Sequence, residues 1–367
     1  MARGAFSLEA RMLLTPGPTP IHPDVQKALL SPMRGHLDPE VLAVNRAIQE
    51  RLRILFDPGE GGLVAALAGS GSLGMEAAFA NLAEGPVLVL ETGTFSARMA
   101  EMSRAHGLET DLLSFPPGEP ARLEALKEAL RRKRYRLVAA VHGETSTGVL
   151  NPVEEMGPLV EEAGALFMVD AVTTLGMLPF SMRRIRADYA FTGSQKCLSA
   201  PPGLAPFALS SKGRALLRGG RAWYVDFARV AEHWERGGYH HTTPVLLHYA
   251  LLAALDRALA EGVEARARRA RRVFAWLLEE LTGRGFSLYP KESPLPTVLV
   301  VRPPRGVEAE ALRAALHQEG YTVAGGIGPT RGEVLRLGLM GEQADEEVYR
   351  GFLEALDRVL QRRKTRA

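Results

Sequence analysis

Hydrophobic positions follow two alternating patterns between residues 39 and 209. Apolar residues at three- and four-residue spacing predict helices, whereas short uninterrupted apolar runs predict buried strands. The predicted helices span 39–56, 75–82, 95–106, 122–132 and 153–162, and the predicted strands span 63–67, 87–90, 109–113, 137–141, 165–169, 189–192 and 206–209. Because strands alternate with helices, we expect an α/β fold with a mostly parallel sheet that helices cover on both faces.

The pattern changes after residue 243. Nearly continuous helical periodicity over 244–281 predicts two helices that meet near Gly262. The remaining predicted elements are a strand at 297–301, a helix at 308–318, a strand at 335–339 and a helix at 346–361. We therefore expect a large domain that ends at residue 257, a small α+β domain over 258–367 and a long helix that joins the two.

The composition is that of an ordinary globular protein. The 367 residues are 46% hydrophobic and 24% charged, which suits two domains with sizeable cores. The net charge of +3 arises from 45 basic and 42 acidic residues and does not indicate a nucleic-acid partner. A single cysteine, Cys197, excludes an internal disulfide. Residues 1–14 lack the apolar core of a signal peptide, and no apolar run is long enough to cross a bilayer, so we expect a cytoplasmic protein without a membrane partner.

A glycine- and serine-rich segment lies between a predicted strand and a predicted helix. It reads Gly69-Ser70-Gly71-Ser72-Leu73-Gly74. Backbone N–H groups and hydroxyls at a helix N-terminus can bind any phosphate. The glycine spacing also matches the dinucleotide fingerprint, with Glu91 at a suitable distance for a ribose contact. Taken alone, the segment is equally compatible with a cradle for a cofactor phosphate, a nucleotide site and an ordinary tight turn.

Two charged residues follow later strands of the predicted sheet. Asp170 ends the apolar run 165–169, and Lys196 lies in a small-residue turn after 189–192. A carboxylate at the carboxyl end of a parallel strand lies where α/β proteins bind ligands. Burial can lower the pKa of a lysine amine enough for it to form an imine. An isolated Asp is more often an N-cap or a surface acid, and an isolated Lys is usually solvated, so neither residue decides the function alone.

The phosphate loop, the acidic strand end and the lysine occur in the order and spacing of fold-type I enzymes that use pyridoxal 5′-phosphate (PLP). The chain resembles the class V aminotransferases, most closely the alanine–glyoxylate / serine–pyruvate group. The resemblance extends from the Leu-Thr-Pro-Gly-Pro-Thr-Pro motif at 14–20 to the Val-Leu-Arg-Leu-Gly-Leu motif at 334–339. The most specific motifs between them are His142-Gly143-Glu144-Thr145-Ser146-Thr147-Gly148, Gly193-Ser194-Gln195-Lys196, Tyr239-His240-His241-Thr242 and Gly325-Gly326-Ile327-Gly328-Pro329.

The resemblance implies a PLP-dependent aminotransferase of fold type I and assigns its cofactor contacts. Lys196 would carry PLP as a Schiff base and act as general base and acid. Asp170 would pair with the pyridine nitrogen, and Phe95 would stack on the ring, where the family often has Trp. The other implied contacts are Ser70, Gly71, Ser72 and Gln195 at the phosphate, Thr145 at the phenolic side, and Tyr239 and Thr242, which the neighbouring subunit of a homodimer would donate.

The resemblance also implies the substrate contacts and the reaction. Arg336 would bind the α-carboxylate through two parallel hydrogen bonds, and the backbone near Gly17 would line the same pocket. Residues 1–20 would thus form a segment that lines the active site, ahead of a large PLP-binding domain over 21–257. The expected reaction is ping-pong transamination between a small amino acid, alanine or serine, and a 2-oxo acid such as glyoxylate or pyruvate. Aspartate and phosphoserine remain possible donors.

Other hypotheses stay open at this point. A related PLP lyase or desulfurase is one, although Cys197 is badly placed for a mobile desulfurase loop. A nicotinamide-dependent dehydrogenase built on residues 69–74 is another, and a nucleic-acid-binding protein built on the arginines at 266–272 is a third. For single residues, Phe95 could be an ordinary core residue and Arg336 could form a structural ion pair.

The remaining charged and histidine residues suggest ordinary roles. His240 and His241 would point to opposite faces of a strand, and no acid or Cys lies nearby, so we expect no metal site. The arginines at 266–272 predict a solvated helix face, and Arg362-Arg363-Lys364 a frayed tail. The segment His36-Leu37 departs from the family, which often has His-Arg there, so a substrate contact by that Arg is absent or replaced.

Overall fold

The computed structural model describes residues 11–219 and 222–364. The helices within these ranges are α1 (Pro23–Leu29), α2 (Pro39–Phe56), α3 (Gly71–Leu82), α4 (Thr94–Ala105), α5 (Leu123–Arg132), α6 (Val153–Glu162), α7 (Met182–Ile185), α8 (Ser211–Ala215), α9 (Phe227–Trp234), α10 (Val245–Glu261), α11 (Val263–Gly283), α12 (Ala309–Gln318) and α13 (Glu346–Lys364). The strands are β1 (Met12–Leu13), β2 (Leu63–Ala68), β3 (Val87–Glu91), β4 (Thr110–Ser114), β5 (Leu137–Val141), β6 (Gly143–Glu144), β7 (Val149–Leu150), β8 (Leu166–Asp170), β9 (Tyr189–Phe191), β10 (Leu204–Leu209), β11 (Ser287–Leu288), β12 (Val298–Arg302), β13 (Tyr321–Thr322), β14 (Ala324–Gly325) and β15 (Leu335–Gly338).

The large domain is built on a seven-stranded sheet. Its strand order is β2-β10-β9-β8-β5-β3-β4, and β10 runs antiparallel to the other six strands. All residues of β5, β8 and β10 are buried, as expected for strands that helices cover on both faces. The helices α3, α4 and α6 pack on this sheet. The predicted mostly parallel α/β sheet is therefore confirmed.

The register of the sheet brings the carboxyl ends of its parallel strands to one edge. Val141 at the end of β5 pairs with Asp170, and Asp170 pairs with Phe191 at the end of β9. At the β2 end of the strand order, Ala68, the last residue of β2, pairs with Leu204, where β10 begins. The loops that follow β2, β5, β8 and β9 consequently start side by side, as ligand-binding loops of α/β proteins do.

The small domain contains a four-stranded antiparallel sheet, β11-β12-β15-β14, together with α11, α12 and α13. Its hydrophobic core includes residues from these helices and from β12 and β15. The N-terminal segment joins this domain, because β1 pairs in parallel with β13 and the Gly338 N–H donates to the Leu14 carbonyl. The large domain and the small α+β domain are as predicted, while the boundaries at residues 20 and 257 stay predictions.

The predicted helix pair agrees with the structure, but one helix begins earlier than predicted. Gly262 separates α10 from α11 with a φ of 82°, a conformation that favours glycine.

Helix α3 begins at Gly71, four residues before the predicted start, although glycines have a low helix propensity. Close packing explains the glycine in its first turn: a Cβ on Gly74 would lie 3.0 Å from the Phe191 ring.

Two predictions about basic residues were wrong. Arg266 does not belong to a solvated face: it is only 3% exposed and donates hydrogen bonds to the Gly176 and Cys197 carbonyls. Arg362 does not belong to a frayed tail, since it lies within α13 and pairs with Glu319 at 2.7 Å. None of the helices in the described ranges is both long and apolar enough to cross a bilayer.

Candidate active site

The glycine-rich segment lies beside the loops that follow β8 and β9. A Cβ on Gly71 would lie 3.2 Å from Val172 Cγ2 and 3.6 Å from Gly193 Cα, so the start of this helix packs closely against both loops. Ser70 is the N-cap of α3 but makes no side-chain capping bond, which leaves its hydroxyl available to a ligand. Ser72 lies in the first turn of the same helix. The helix N-terminus therefore offers neutral donors suited to an anion.

Lys196 points from the turn after β9 toward the N-terminal segment. Its Nζ donates to the Pro16 carbonyl at 2.5 Å and reaches the Gly17 carbonyl at 3.4 Å. Burial lowers the pKa of Lys196 to about 8, and the charge of Arg336 acts in the same direction. A Cβ on Gly17 would lie 2.2 Å from the Lys196 Cδ, so a side chain there would displace the lysine. The usual solvated state of a lysine thus does not apply to Lys196.

Contacts from two other parts of the chain hold the lysine turn in place. Thr19 donates through its backbone N–H to the Gln195 carbonyl at 3.0 Å, and its hydroxyl lies 3.2 Å from the Ser199 hydroxyl. From the small domain, the Arg266 guanidinium donates to the Cys197 carbonyl at 2.8 Å. The backbone on both sides of Lys196 is therefore fixed, which predicts a well-defined position for its amine.

Asp170 is buried at the end of β8. Its Oδ1 accepts a hydrogen bond from the Val172 N–H at 2.8 Å. Burial raises the pKa of Asp170 to about 7 in spite of this hydrogen bond, and the neighbouring Glu144 adds to the rise. A surface acid is therefore excluded for Asp170. A buried carboxyl with a raised pKa is one that a cationic partner would stabilise in its ionised form.

Glu144 is a functional candidate that the sequence interpretation missed. Its buried carboxylate accepts hydrogen bonds from the Phe95 N–H at 3.2 Å and the Ser96 N–H at 3.0 Å, at the start of α4. It also accepts from the Ser146 hydroxyl at 2.6 Å. A negative charge at a helix N-terminus is favourable, so Glu144 fixes the helix that carries the half-buried Phe95 ring. The only available signal was its place in the motif after β5.

Arg336 lies in β15, within the small-domain sheet, and is 7% exposed. Its Nε donates to the Gly325 carbonyl at 2.8 Å, and its Nη1 donates to the Thr145 carbonyl at 3.3 Å. No carboxylate of the described residues pairs with this guanidinium. The alternative interpretation of Arg336, a structural ion pair, is therefore not supported. Burial lowers the pKa of Arg336 to about 10, so it keeps its charge at neutral pH. Its Nη2 group remains able to bind an external carboxylate.

The other predicted cofactor residues differ in their surroundings. Gln195 Oε1 and the Tyr239 hydroxyl are both buried without a hydrogen-bond partner in the described part of the chain. Thr242 is exposed. The expectation that His240 and His241 lie in a strand was wrong: residues 239–242 form a loop, in which the rings of His240 and His241 lie 4.6 Å apart. Among the residues that the structure describes, no three His, Cys, Asp or Glu side chains form a candidate metal site.

Comparison with known proteins decides the family. The model of the class V aminotransferase family matches residues 69–348, which is most of the chain. The chain belongs to the class V aminotransferases. This class V aminotransferase is 32% identical to the alanine–glyoxylate aminotransferase of Felis catus over an alignment of 370 residues, gaps included. The alignment covers 97% of this chain and 89% of the cat protein.

Two solved structures of aminotransferases have the same fold. The alanine–glyoxylate aminotransferase of Nostoc sp. is 38% identical, with a TM-score of 0.93 and coverage of 98% of both chains. The ureidoglycine–glyoxylate aminotransferase of Bacillus subtilis is 30% identical, with a TM-score of 0.94 over 98% of this chain and 95% of that chain. The resemblance, the fold class and the aminotransferase activity predicted from the sequence are confirmed.

PLP is the cofactor of this enzyme class, and the residues at the sheet edge fit it. The N-terminus of α3 suits a phosphate. The orphaned, buried Oε1 of Gln195 lies near this helix, because it would be 2.9 Å from a Cβ on Gly193, which itself packs against Gly71. Lys196 supplies a buried amine and Asp170 a buried carboxyl at the same edge. Because the chain belongs to an aminotransferase family whose cofactor is PLP, the nicotinamide-dependent dehydrogenase hypothesis is rejected.

Proposed function

We propose that this enzyme transfers the amino group of a small amino acid, alanine or serine, to glyoxylate or pyruvate. The observation that carries the proposal is the buried Arg336, which has no acidic partner among the described residues and lies against the Thr145 backbone. A planar guanidinium of this kind binds a carboxylate through two parallel hydrogen bonds. The similar proteins support glyoxylate as the acceptor, since they include alanine–glyoxylate and ureidoglycine–glyoxylate aminotransferases.

Lys196 is the residue that we assign to PLP attachment and to proton transfer. When bound, PLP supplies an electron sink that makes the Cα–H of an amino acid acidic. With a pKa of about 8, the Lys196 amine can accept a proton near neutral pH and return it. The Pro16 and Gly17 carbonyls orient this amine. We assign the backbone near Gly17 to the substrate pocket, together with Arg336.

The other side chains at the sheet edge orient the cofactor. Asp170 is assigned to the pyridine nitrogen, because its raised pKa implies a strong gain from a cationic partner. Phe95 is assigned to one face of the ring, where it would exclude water and fix the ring plane. The assigned phosphate contacts are Ser70, Gly71, Ser72 and Gln195, and Thr145 is assigned to the phenolic side.

We further propose a homodimer in which Tyr239 and Thr242 contact the cofactor of the neighbouring subunit. The unpartnered Tyr239 hydroxyl and the exposed Thr242 support this assignment. Trp223 and Tyr224 are 57% and 47% exposed next to the 239–242 loop, and large exposed aromatic side chains are typical of interfaces. The single, buried Cys197 is consistent with the cytoplasmic location that we propose.

A substrate panel tests the proposed reaction. Purified holoenzyme is assayed with alanine, serine, aspartate and phosphoserine as donors, each against glyoxylate, pyruvate and 2-oxoglutarate. We expect the highest kcat/KM for alanine or serine with glyoxylate or pyruvate, and values at least about tenfold lower for the acidic donors, whose second anion would need its own cation. A preference for aspartate or phosphoserine would contradict the proposed substrate, and product release without amino transfer would indicate a lyase.

A further inference from the structure

Arg98 is a cation that the assignments above do not use. It lies on α4, one turn after Phe95, and is half-buried. Its guanidinium carbon lies 5.0 Å from the centre of the Phe95 ring, and its Nη1 donates to the Ser72 hydroxyl at 3.4 Å. No carboxylate in the described ranges pairs with it. Arg98 therefore joins the residue assigned to the cofactor ring to a residue assigned to its phosphate.

The charge of Arg98 acts on the two ionisable groups of the site. Burial is the main cause of the raised pKa of Asp170 and of the lowered pKa of Lys196, and the positive charge of Arg98 lowers both values. These effects are smaller than that of burial, but they agree in direction with the position of Arg98 against Ser72 and Phe95.

The assigned phosphate contacts lack a charged group of their own. Ser70, Gly71, Ser72 and Gln195 offer only neutral donors, although a phosphate monoester carries nearly two negative charges at neutral pH. Lys196 Nζ is directed at peptide carbonyls. When the Ser72 hydroxyl accepts from Arg98, its own hydrogen is left to donate to a phosphate oxygen. A guanidinium behind the hydroxyl then strengthens that bond and compensates the charge.

We propose that Arg98 provides the positive charge for a phosphate monoester bound at the N-terminus of α3, through the Ser72 hydroxyl and by direct attraction. The proposal rests on the assignment of PLP phosphate to this helix. It predicts that Arg98 distinguishes PLP from pyridoxal, which has the same ring and aldehyde but no phosphate. If Arg98 acted only through the Phe95 ring, its replacement would weaken the binding of PLP and of pyridoxal equally.

The test compares wild-type apoenzyme with Arg98→Met, Arg98→Lys and the control Arg104→Met. Arg104 is exposed on the same helix, and its side chain donates to the Thr110 carbonyl. Binding of PLP and of pyridoxal is followed by the absorbance of the lysine adduct. We expect Arg98→Met to weaken PLP binding roughly tenfold to a hundredfold, as the loss of a charge-assisted hydrogen bond implies. Pyridoxal binding should change less than about threefold, Arg98→Lys should recover part of the loss, and Arg104→Met should match wild type.

Inorganic phosphate provides a second probe. It should slow reconstitution of wild-type apoenzyme with PLP, and Arg98→Met should need a higher phosphate concentration for the same effect. Equal loss of PLP and pyridoxal binding, or unchanged PLP binding, would overturn the role of Arg98. An unchanged PLP affinity with a raised KM for acidic donors would assign Arg98 to a substrate carboxylate instead. Failure of the proposed function is distinct, because wild-type protein would then form no adduct with PLP.

Discussion

Burial shifts the pKa values of two ionisable residues of the candidate site in opposite directions. It lowers the pKa of Lys196 to about 8 and raises that of Asp170 to about 7. The two shifts bring both groups into the range in which proton transfer near neutral pH is efficient. They also destabilise the folded apoenzyme, since each group is held in an environment that disfavours its charged form.

The Asp170 shift predicts a pH-dependent gain in stability for apo Asp170→Asn. Between pH 3.8 and about 7 the unfolded carboxyl is ionised while the folded one stays protonated. The contribution of Asp170 to the wild-type free energy of unfolding therefore falls over this range by roughly 1.4 kcal/mol per pKa unit and is constant above it. Urea unfolding of both apoproteins should show a larger advantage of Asp170→Asn at about pH 8 than at about pH 5. An equal difference at both pH values would refute the buried, raised pKa.

Arg336 predicts a selective effect on substrate binding. Lysine in its place keeps the charge but cannot form two parallel hydrogen bonds. For Arg336→Lys we expect KM for both the amino acid and the oxo acid to rise roughly tenfold to a hundredfold, with PLP affinity unchanged. Steady-state kinetics and a PLP titration separate the two effects. Unchanged KM values would mean that Arg336 does not hold the carboxylate.

At the scale of elements, the hydrophobic pattern identifies the helices and strands that are long or are buried on both faces. It gives β5 and α6 with their observed bounds, because every residue of β5 is buried and α6 has a clear apolar stripe. It misses β1 and β13, since a two-residue strand has no periodicity. These two strands exist because tertiary contacts attach the N-terminal segment to the small domain, which no local pattern encodes.

The candidate site was predictable only in part. Asp170 and Lys196 follow strands that the pattern identifies, so their convergence at one sheet edge follows from a parallel sheet. Glu144 gave no signal beyond its place in the motif after β5, and Arg98 gave none, because their roles depend on a loop conformation and on contacts between helices. Arg266 did give one: it precedes the buried Ala270 by four residues and thus lies on the apolar stripe of α11.

Arg266 predicts that α11 stabilises the lysine turn. Arg266→Met leaves the buried Gly176 and Cys197 carbonyls without their donor, which should cost about 2–5 kcal/mol of unfolding free energy. Arg271→Met, at an exposed position of the same helix, should change stability by less than about 0.5 kcal/mol. Denaturant unfolding of the two variants checks this, and similar stabilities would show that the buried hydrogen bonds contribute little.

At the scale of the whole molecule, the proposed homodimer predicts complementation between subunits. Hybrid dimers are prepared from one Lys196→Ala subunit and one subunit with Tyr239→Phe and Thr242→Ala. If these residues act across the interface, the remaining Lys196 has an intact Tyr239 and Thr242 from its neighbour, and its PLP affinity should equal that of wild type. If they act within their own subunit, the hybrid should bind PLP as weakly as the homodimer of the double variant.

At the same scale, the proposed function of the molecule depends on PLP attachment at one lysine, Lys196. The absorbance spectrum of purified protein tests this most directly. Wild-type protein should show a band at about 410–430 nm from the PLP–lysine adduct, and Lys196→Ala should lack it at the same PLP concentration. An identical band in both proteins, or none in wild type supplied with PLP, would contradict the assignment of Lys196.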